Sequence, residues 1–369
     1  MAIFKRILIV ICLSAVVACS PRGEITLLPD AAQVGKVRNI YIGTTRGVDA
    51  DGRFNNRREM GVTFHRYDIS VPPHHKTGEI TWPRRKPDPQ NAFYTTGFEH
   101  FPGAGGFVTD LSKALRKLPK GRREVVVFVH GFNTNFAEGL YRFAQLSNDL
   151  DLPNPTVHYS WPSLAKPLGY EYDRDSALFA RDGLEKLLKT VKAAGADRIL
   201  LVGHSMGAFL TVETLRQMAI SDNYELSKML AGVVLVSPDI DVELFRQQTV
   251  RIKPIPQPFV IFTSQKDRAL RLSALLTGSR KRLGNVTDIA VLGGLQVTVI
   301  DVTEYSDSFI GHFTEATSPA LVKILKRLNG VNNAFQNDRT GKAGLIPGTI
   351  LTIRQATNII LSPSATHIP

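Results

Sequence analysis

Hydrophobic positions along the chain form short strand-like runs, separated by amphipathic segments with helical spacing. The run Glu124–His130 is continuously apolar between its ends, which is typical of a strand covered on both faces of a sheet. Further strand-like runs lie at 37–43, 67–71, 156–160, 198–202, 232–236, 258–262 and 296–301. Helical spacing occurs at 109–118, 135–148, 173–194, 206–218 and 319–328. Strands that alternate with helices predict an α/β fold, in which a mostly parallel sheet is flanked by helices.

The series of strands and helices occurs once, so the pattern predicts one folded domain over 37–329. Residues 19–36 are polar and are predicted to form a linker, while the tail at 330–369 fits no pattern and stays unassigned. The region between the first strand and the first helix is rich in Arg, Asn, Pro and His, and it is predicted to form long loops. The segment between Asp241 and Pro258 is too short to hold a large cap domain.

The N-terminus has the pattern of an export signal. Residues 1–18 combine a basic start with an apolar stretch at 7–17, which is too short to span a bilayer comfortably. The sequence at 16–19 resembles a bacterial lipobox, which implies cleavage after residue 18 and a lipid on Cys19; a plain secretion signal is the alternative. A lipid-anchored protein of the cell envelope is therefore predicted. Ser20 favours the periplasmic face of the outer membrane if the host has two membranes.

The formal charge of the chain is +12, which admits nucleic acid or an anionic membrane surface as a partner. The basic clusters lie at 84–86, 122–123 and 280–282, and no aromatic residues interleave with them as base stacking requires. The distribution of the basic residues therefore argues against nucleic-acid binding and favours a basic surface near anionic lipid.

Cysteine and histidine positions limit the chemistry further. The chain has 2 cysteines, Cys12 and Cys19, so the processed chain keeps no thiol for a disulfide, a metal or a nucleophile. His65 and the pair His74–His75 have no further ligand at helical spacing nearby. No metal and no cofactor are predicted.

The strongest chemical motif is Gly203-His204-Ser205-Met206-Gly207, which follows a strand and opens a helix. This context is the one that a nucleophile elbow needs, because only glycines fit so sharp a turn. Ser205 is the predicted nucleophile. The backbone N–H of Met206, at the helix N-terminus, is a predicted oxyanion donor.

A second motif, His130-Gly131-Phe132-Asn133, ends the strand at 124–130 and resembles the oxyanion loop of lipases and esterases. The backbone N–H of Phe132 is predicted to be the second oxyanion donor. His130 is predicted to hold the loop in place rather than to act as a base.

On these motifs the chain resembles a bacterial esterase- or lipase-like branch of the α/β-hydrolase superfamily, whose members have no known substrate. The resemblance spans about 37–328 and includes Gly43-Thr44-Thr45-Arg46, Tyr159-Ser160-Trp161-Pro162, Ser237-Pro238-Asp239 and Gly311-His312. It implies the α/β-hydrolase fold and a serine hydrolase that cleaves a carboxylic ester, a thioester or an amide, including lipid esters.

The order of the catalytic residues in that superfamily is serine, acid, histidine. Only His312 and His367 follow Ser205, and His312 lies in a loop after the last predicted strand, so it is the predicted base. Asp267 is the predicted acid, because it follows the strand next to the one that leads to His312; Asp239 is the alternative. An acyltransferase with the same triad and a non-catalytic envelope lipoprotein that binds a partner are the alternative functions.

Overall fold

One sheet of 11 strands organises the part of the chain that the structure describes. The structure is a computed structural model, and it describes residues 22–278, 281–303, 348–353 and 356–361. The strands are β1 (Lys36–Val48), β2 (Phe54–Val71), β3 (Tyr94–Phe101), β4 (Glu124–Val129), β5 (Thr156–Ser160), β6 (Arg198–His204), β7 (Leu230–Val236), β8 (Phe259–Thr263), β9 (Val297–Asp301), β10 (Gly348–Ile353) and β11 (Ala356–Leu361).

Their order across the sheet is β10-β11-β9-β8-β7-β6-β4-β5-β1-β2-β3. All neighbours from β11 to β1 are parallel, whereas β2, β3 and β10 add antiparallel pairings at the two edges. The mostly parallel sheet is therefore confirmed. The carboxyl ends of the parallel strands share one edge, and the loops that carry chemistry in such sheets gather there.

Helices cover both faces of this sheet. They are α1 (Ala104–Leu115), α2 (Phe136–Asp149), α3 (Tyr170–Phe179), α4 (Arg181–Ala193), α5 (Met206–Met229), α6 (Val242–Arg251) and α7 (Arg268–Leu276). Alternate residues of β4 show the two layers: Val125, Val127 and Val129 pack in one apolar cluster, and Val126 and Phe128 pack in another with α2. A strand that buries both faces has to be apolar throughout, which is the pattern of its sequence.

The long loops predicted before the first helix are wrong in part. The segment 54–71 is a single strand, and 94–101 forms another strand beside it. The first half of β2 is mostly polar and at least partly exposed, since it forms a ribbon with β1 through backbone hydrogen bonds rather than through burial. A pattern of apolar side chains gives no signal for such a ribbon.

Three helix predictions need correction. The helix predicted over 206–218 continues to Met229. The helix predicted from Thr109 begins at Ala104, after Gly103, and ends at Leu115. The helix predicted over 173–194 is two helices, α3 and α4, which meet at Ala180. Tyr159 donates a hydrogen bond of 2.7 Å from its hydroxyl to the carbonyl of Ala180, and a side chain inserted in this way commonly marks a break.

The predicted signal peptide, Cys19, His312 and the helix predicted at 319–328 lie outside the described residues. The part of the predicted linker that is described contacts the domain, because Thr26 and Leu28 pair with the backbone of Thr95. Within the unassigned tail, β11 pairs with β9, so part of it extends the sheet. None of the helices in the described residues is long and apolar enough to cross a membrane.

Candidate active site

Ser205 occupies the turn between β6 and α5, at the carboxyl edge of the sheet. Its backbone has φ 54° and ψ −122°, a left-handed conformation that is strained for a residue with a side chain. A Cβ on Gly207 would lie 2.2 Å from the carbonyl oxygen of His130, and one on Gly203 would lie 2.8 Å from Cα of Ala208. Both positions therefore require glycine, because the backbone of a neighbouring segment lies where a Cβ would be. The local sequence forms the sharp turn that was predicted.

The nucleophile candidate is covered, contrary to the open position that the turn suggests. Ser205 is 1% exposed. A Cβ on Gly131 would lie 2.9 Å from Cβ of Ser205, so the loop that begins there passes directly over the turn. Burial of this kind keeps water away from charges that develop beside Ser205.

Residues 131–134 form that loop, which we call the oxyanion loop. Asn133 within it has φ 54°, a conformation that asparagine tolerates better than most residues. Among the described residues, no acceptor is assigned to the backbone N–H of Phe132 or to that of Met206. The loop and the start of α5 thus bring two available donors to the same edge as Ser205.

Arg46, at the end of β1, binds the oxyanion loop from inside the protein. It is 2% exposed, and its Nη2 donates to the carbonyl of Thr134 at 2.8 Å. Its Nη1 donates to the carbonyl of Ser163 at 3.1 Å, and its Nε donates to Oγ of Ser160 at 3.0 Å. Burial lowers the pKa of Arg46 to about 10, so the guanidinium remains charged at neutral pH. A planar group with five donors suits such a junction of three segments.

Asp173 binds the same loop from the other side. One carboxylate oxygen accepts hydrogen bonds from the N–H of Asn133 at 3.2 Å and from the hydroxyl of Ser163 at 2.6 Å. The other accepts from the N–H of Leu164 at 2.5 Å. Burial raises the pKa of Asp173, although these hydrogen bonds and the charge of Arg46 oppose the shift. Ser163 therefore links a buried cation to a buried anion, and together they hold the oxyanion loop.

His130 has the structural environment that the sequence predicted for it. Its ring stacks on Trp161 at 5.0 Å, and its carbonyl accepts a hydrogen bond of 2.7 Å from the indole N–H. Burial, with the charge of Arg46 next, holds its pKa well below the usual range. Nδ1 of His130 lies 2.9 Å from the carbonyl of Gly131, and Nε2 lies 3.1 Å from the carbonyl of Trp161 and 3.4 Å from Nη2 of Arg46. The neutral ring has one N–H and therefore donates to one of these two carbonyls.

Asp239, the alternative acid, belongs to a buried network. Its carboxylate accepts from the hydroxyls of Tyr170 at 2.9 Å and Ser273 at 2.6 Å, and it forms an ion pair of 3.2 Å with Arg282. Arg282 is 1% exposed. The N–H of Asp239 donates to the carbonyl of Ser205 at 3.2 Å, so this network lies directly against the elbow.

Asp267, the preferred acid, follows β8 and caps α7. It is fully buried, and Oδ1 accepts a hydrogen bond of 3.0 Å from the N–H of Leu270. The predicted base, His312, lies outside the described residues. Both acid candidates therefore lie at the carboxyl edge, in different environments.

Several residues around the site carried no predicted role. The sequence predicts no role for Arg46 or for Asp173. Arg282 belongs to the basic cluster at 280–282, which is predicted to lie on the surface, yet it is 1% exposed and pairs with Asp239, so the prediction is wrong for this residue. Tyr159 and Trp161 are fully buried and belong to the core. Within the described ranges, no group of three or more potential metal ligands is present.

Some solved structures of hydrolases are similar to the chain at low identity. The solved structures similar to it include the phospholipase PlaB of Legionella pneumophila, 14% identical, with a TM-score of 0.36 over 65% of this chain and 67% of that chain. An esterase of Pyrococcus furiosus is 12% identical, with a TM-score of 0.35 over 85% of this chain and 96% of that chain. The carboxylesterase EstE1 from a metagenomic library is 14% identical, with a TM-score of 0.35 over 82% of this chain and 89% of that chain. Overlaps at these scores say nothing about substrate.

Among relatives in sequence, the uncharacterized protein alr1448 of Nostoc sp. is 26% identical over 136 residues, which cover 30% of this chain and 35% of that protein. The chain thus spans about a third of the length of this relative. Residues 106–329, more than half of the chain, match a family described as alpha/beta hydrolases of unknown function (DUF900). The match includes the elbow, the oxyanion loop and both acid candidates. The chain therefore belongs to this family of alpha/beta hydrolases.

Proposed function

We propose that this hydrolase is a serine hydrolase with Ser205 as its nucleophile. The observation that carries the proposal is the strained turn at Ser205, with φ 54° between β6 and α5 and glycines packed against the backbone on both sides. Backbone strain of this kind costs about 1–3 kcal/mol and is retained mainly at functional positions. A serine at such a turn is presented beside the N-terminus of α5, where negative charge is stabilised.

The backbone N–H groups of Phe132 and Met206 form the proposed oxyanion hole. They belong to two segments that touch, since Gly131 and Gly207 approach Ser205 and His130 closely. Two such donors stabilise the tetrahedral intermediate more than the planar carbonyl of the substrate, which lowers the barrier.

His312 is the proposed base and Asp267 the proposed acid that orients it. Asp267 is supported over Asp239 because Asp239 already neutralises Arg282 and binds two hydroxyls. A carboxylate committed to a buried arginine is a poor partner for an imidazolium. Asp267 lies on the loop after β8, two strands from β6, across the carboxyl edge.

The proposed reaction is hydrolysis of a carboxylic ester; a thioester or an amide carbonyl is open to the same attack. The Oγ of Ser205 bonds to the acyl carbon as His312 takes its proton, and the bond to the alcohol breaks as His312 returns that proton. Water then attacks the acyl-enzyme in the same way and releases the acid. No metal or cofactor takes part in these steps.

Cys19 is the proposed lipidation site, and the cell envelope is the proposed location. The support is the sequence of the export signal and the small residues before Cys19. Arg22, three residues after Cys19, would then lie close to the anchor.

A fluorophosphonate probe tests the nucleophile without knowledge of the natural substrate. The protein without residues 1–18 should form a covalent adduct on the peptide that contains Ser205. Ser205→Ala and His312→Ala should not label, although each should keep the parent's melting temperature. Ser221→Ala, which removes a hydroxyl farther along α5, is the matched control and should label like the parent. A folded parent that takes up no probe would refute the proposal.

A further inference from the structure

Arg22, three residues after the predicted lipidation site, is bound to the oxyanion loop. Arg22 donates from Nη1 to Oδ1 of Asn133 and from Nη2 to its carbonyl, each at 2.9 Å. It also forms an ion pair of 2.5 Å with Glu138, in the first turn of α2. Arg22 therefore lies beside the residue that follows Phe132.

The next residues follow the surface of the domain rather than leaving it. The side-chain amide of Asn135 donates to the carbonyl of Gly23 at 2.9 Å, and the N–H of Thr95 donates to the carbonyl of Thr26 at 3.0 Å. Cys19 is three residues before Arg22, so the chain between them spans at most about 10 Å. A lipid on Cys19 would hold the oxyanion-loop side of the protein against the membrane.

Three leucines near Tyr170 or on α7 are exposed. Leu168 is 99% exposed, Leu275 78% and Leu272 56%, and the last two are three residues apart on α7, on one face of that helix. We call these three residues the leucine patch. Exposed basic side chains accompany it at Lys166, Lys266 and Arg271.

Tyr170 connects the leucine patch to the active site. Its hydroxyl lies 2.8 Å from Oγ of Ser273, the neighbour of Leu272, and its own position is two residues after Leu168. Its ring meets the ring of Phe132 edge to face at 5.5 Å. Tyr170, two residues after Leu168 and in contact with α7, thus also contacts the loop that carries the proposed oxyanion donor.

We propose that the leucine patch docks on an anionic lipid bilayer, and that Ser205 cleaves lipid esters presented by that bilayer. Apolar side chains flanked by basic ones are the combination that inserts at the surface of anionic membranes. This inference rests on the proposed serine hydrolase and on the lipid at Cys19. It adds the substrate class: an ester whose acyl chain lies in the bilayer and whose carbonyl lies at the headgroup level.

The test uses the lipidated full-length protein in vesicles of phosphatidylcholine and phosphatidylglycerol. A long-chain fluorogenic ester dissolved in the bilayer is compared with a short-chain, water-soluble ester. Leu168→Asp and Leu272→Asp should each lower turnover of the bilayer ester about tenfold, since an apolar contact of that size is lost. Turnover of the soluble ester should be unchanged. Ile220→Asp is the matched control, because Ile220 is 59% exposed and about 22 Å from Ser205 along α5; it should change neither rate.

Failure of bilayer docking can be distinguished from failure of the proposed nucleophile or of the proposed lipid anchor. A parent that does not label with fluorophosphonate refutes the serine hydrolase, and an N-terminal peptide without lipid on Cys19 refutes the anchor. If the parent labels and is lipidated, equal losses on both esters would mean that the leucine patch is part of the folded site. No loss on either ester would mean that it does not touch the bilayer. Either result overturns the inference.

Discussion

The Nη2 of Arg46 donates a hydrogen bond of 2.8 Å to the carbonyl oxygen of Thr134, and this bond joins the end of β1 to the oxyanion loop. The same guanidinium binds the carbonyl of Ser163, whose hydroxyl binds Asp173, and Asp173 in turn holds the N–H of Asn133. The carbonyl and the N–H of consecutive loop residues are thereby fixed by groups of opposite charge. The N–H of Phe132 is consequently held in position by contacts on the residues that follow it.

Arg46→Lys should lower kcat on a soluble ester by about 10², the loss expected when one oxyanion donor is misplaced. Lysine keeps the charge but cannot reach three segments at once, so the carbonyls of Thr134 and Ser163 lose their donors. KM should change much less than kcat, because the loop acts on the tetrahedral intermediate. Arg57→Lys is the control, since Arg57 is exposed on the β1–β2 ribbon and donates to the carbonyl of Val48. An unchanged kcat for Arg46→Lys would show that Arg46 does not position the loop.

Gly207→Ala should destabilise the protein by about 2 kcal/mol or more and abolish fluorophosphonate labelling. The added Cβ would lie 2.2 Å from the carbonyl oxygen of His130 and 2.5 Å from that of Val129, so β4 or α5 would have to shift. Gly105→Ala is a fitting comparison, because a Cβ there meets nothing within 4 Å. It should raise stability by about 0.5 kcal/mol through helix propensity. Urea unfolding of both variants measures the difference, and equal values would contradict the close approach at the elbow.

We expect Asp267→Asn to impair catalysis without destabilising the protein, and Asp239→Asn to destabilise the protein. Asparagine caps a helix as well as aspartate does, so Asp267→Asn should keep the melting temperature while kcat falls by about 10⁴. Asp239→Asn leaves the buried guanidinium of Arg282 without its anion and should cost about 3 kcal/mol.

The two variants are compared by thermal unfolding and by ester turnover on the folded fraction. The assignment of the acid would reverse if Asp239→Asn lost activity while remaining stable and Asp267→Asn stayed active.

The sequence predicted the elements whose formation depends on residues close together in the chain, namely the buried strands and the turn at Ser205. A strand buried on both faces needs apolar residues throughout, as in β4 and β6. The sharp turn at Ser205 needs glycines on both sides. Both features are therefore visible in the sequence. The first half of β2 does not need apolar residues, because backbone hydrogen bonds to β1 hold it in place. Such bonds do not depend on the side chains, so the sequence does not reveal this strand.

The support of the oxyanion loop could not be read from the sequence for a different reason. Arg46, Ser163 and Asp173 lie far apart along the chain, and each resembles an ordinary polar residue until the fold brings them together. Arg46 lies in the Thr-Thr-Arg motif, but its role depends on the carbonyls that surround it. The break at Ala180 is similar, because the hydroxyl that marks it comes from Tyr159 on β5.

His158→Leu should flatten the dependence of stability on pH. His158 is fully buried, and neither ring nitrogen has a hydrogen-bond partner among the described residues. Burial lowers the pKa of His158 to about 3, and the charge of Arg46 acts in the same direction. An unfolded histidine titrates near 6.5, so between these values the unfolded chain binds more protons than the folded one. The stability that neutral His158 contributes is therefore complete above about pH 6.5 and is lost as the pH falls towards 3.

From pH 6.5 to pH 5, this one group should cost the parent roughly 2 kcal/mol, at up to about 1.4 kcal/mol per pH unit. Leucine has no proton to bind and breaks no hydrogen bond at this position, so the variant should lose that much less over the same range and be at least as stable at pH 7. Urea unfolding at half-unit steps of pH measures both slopes. Parallel curves for the parent and His158→Leu would mean that His158 has the same pKa in the folded and the unfolded chain, which its burial beside the charged Arg46 argues against.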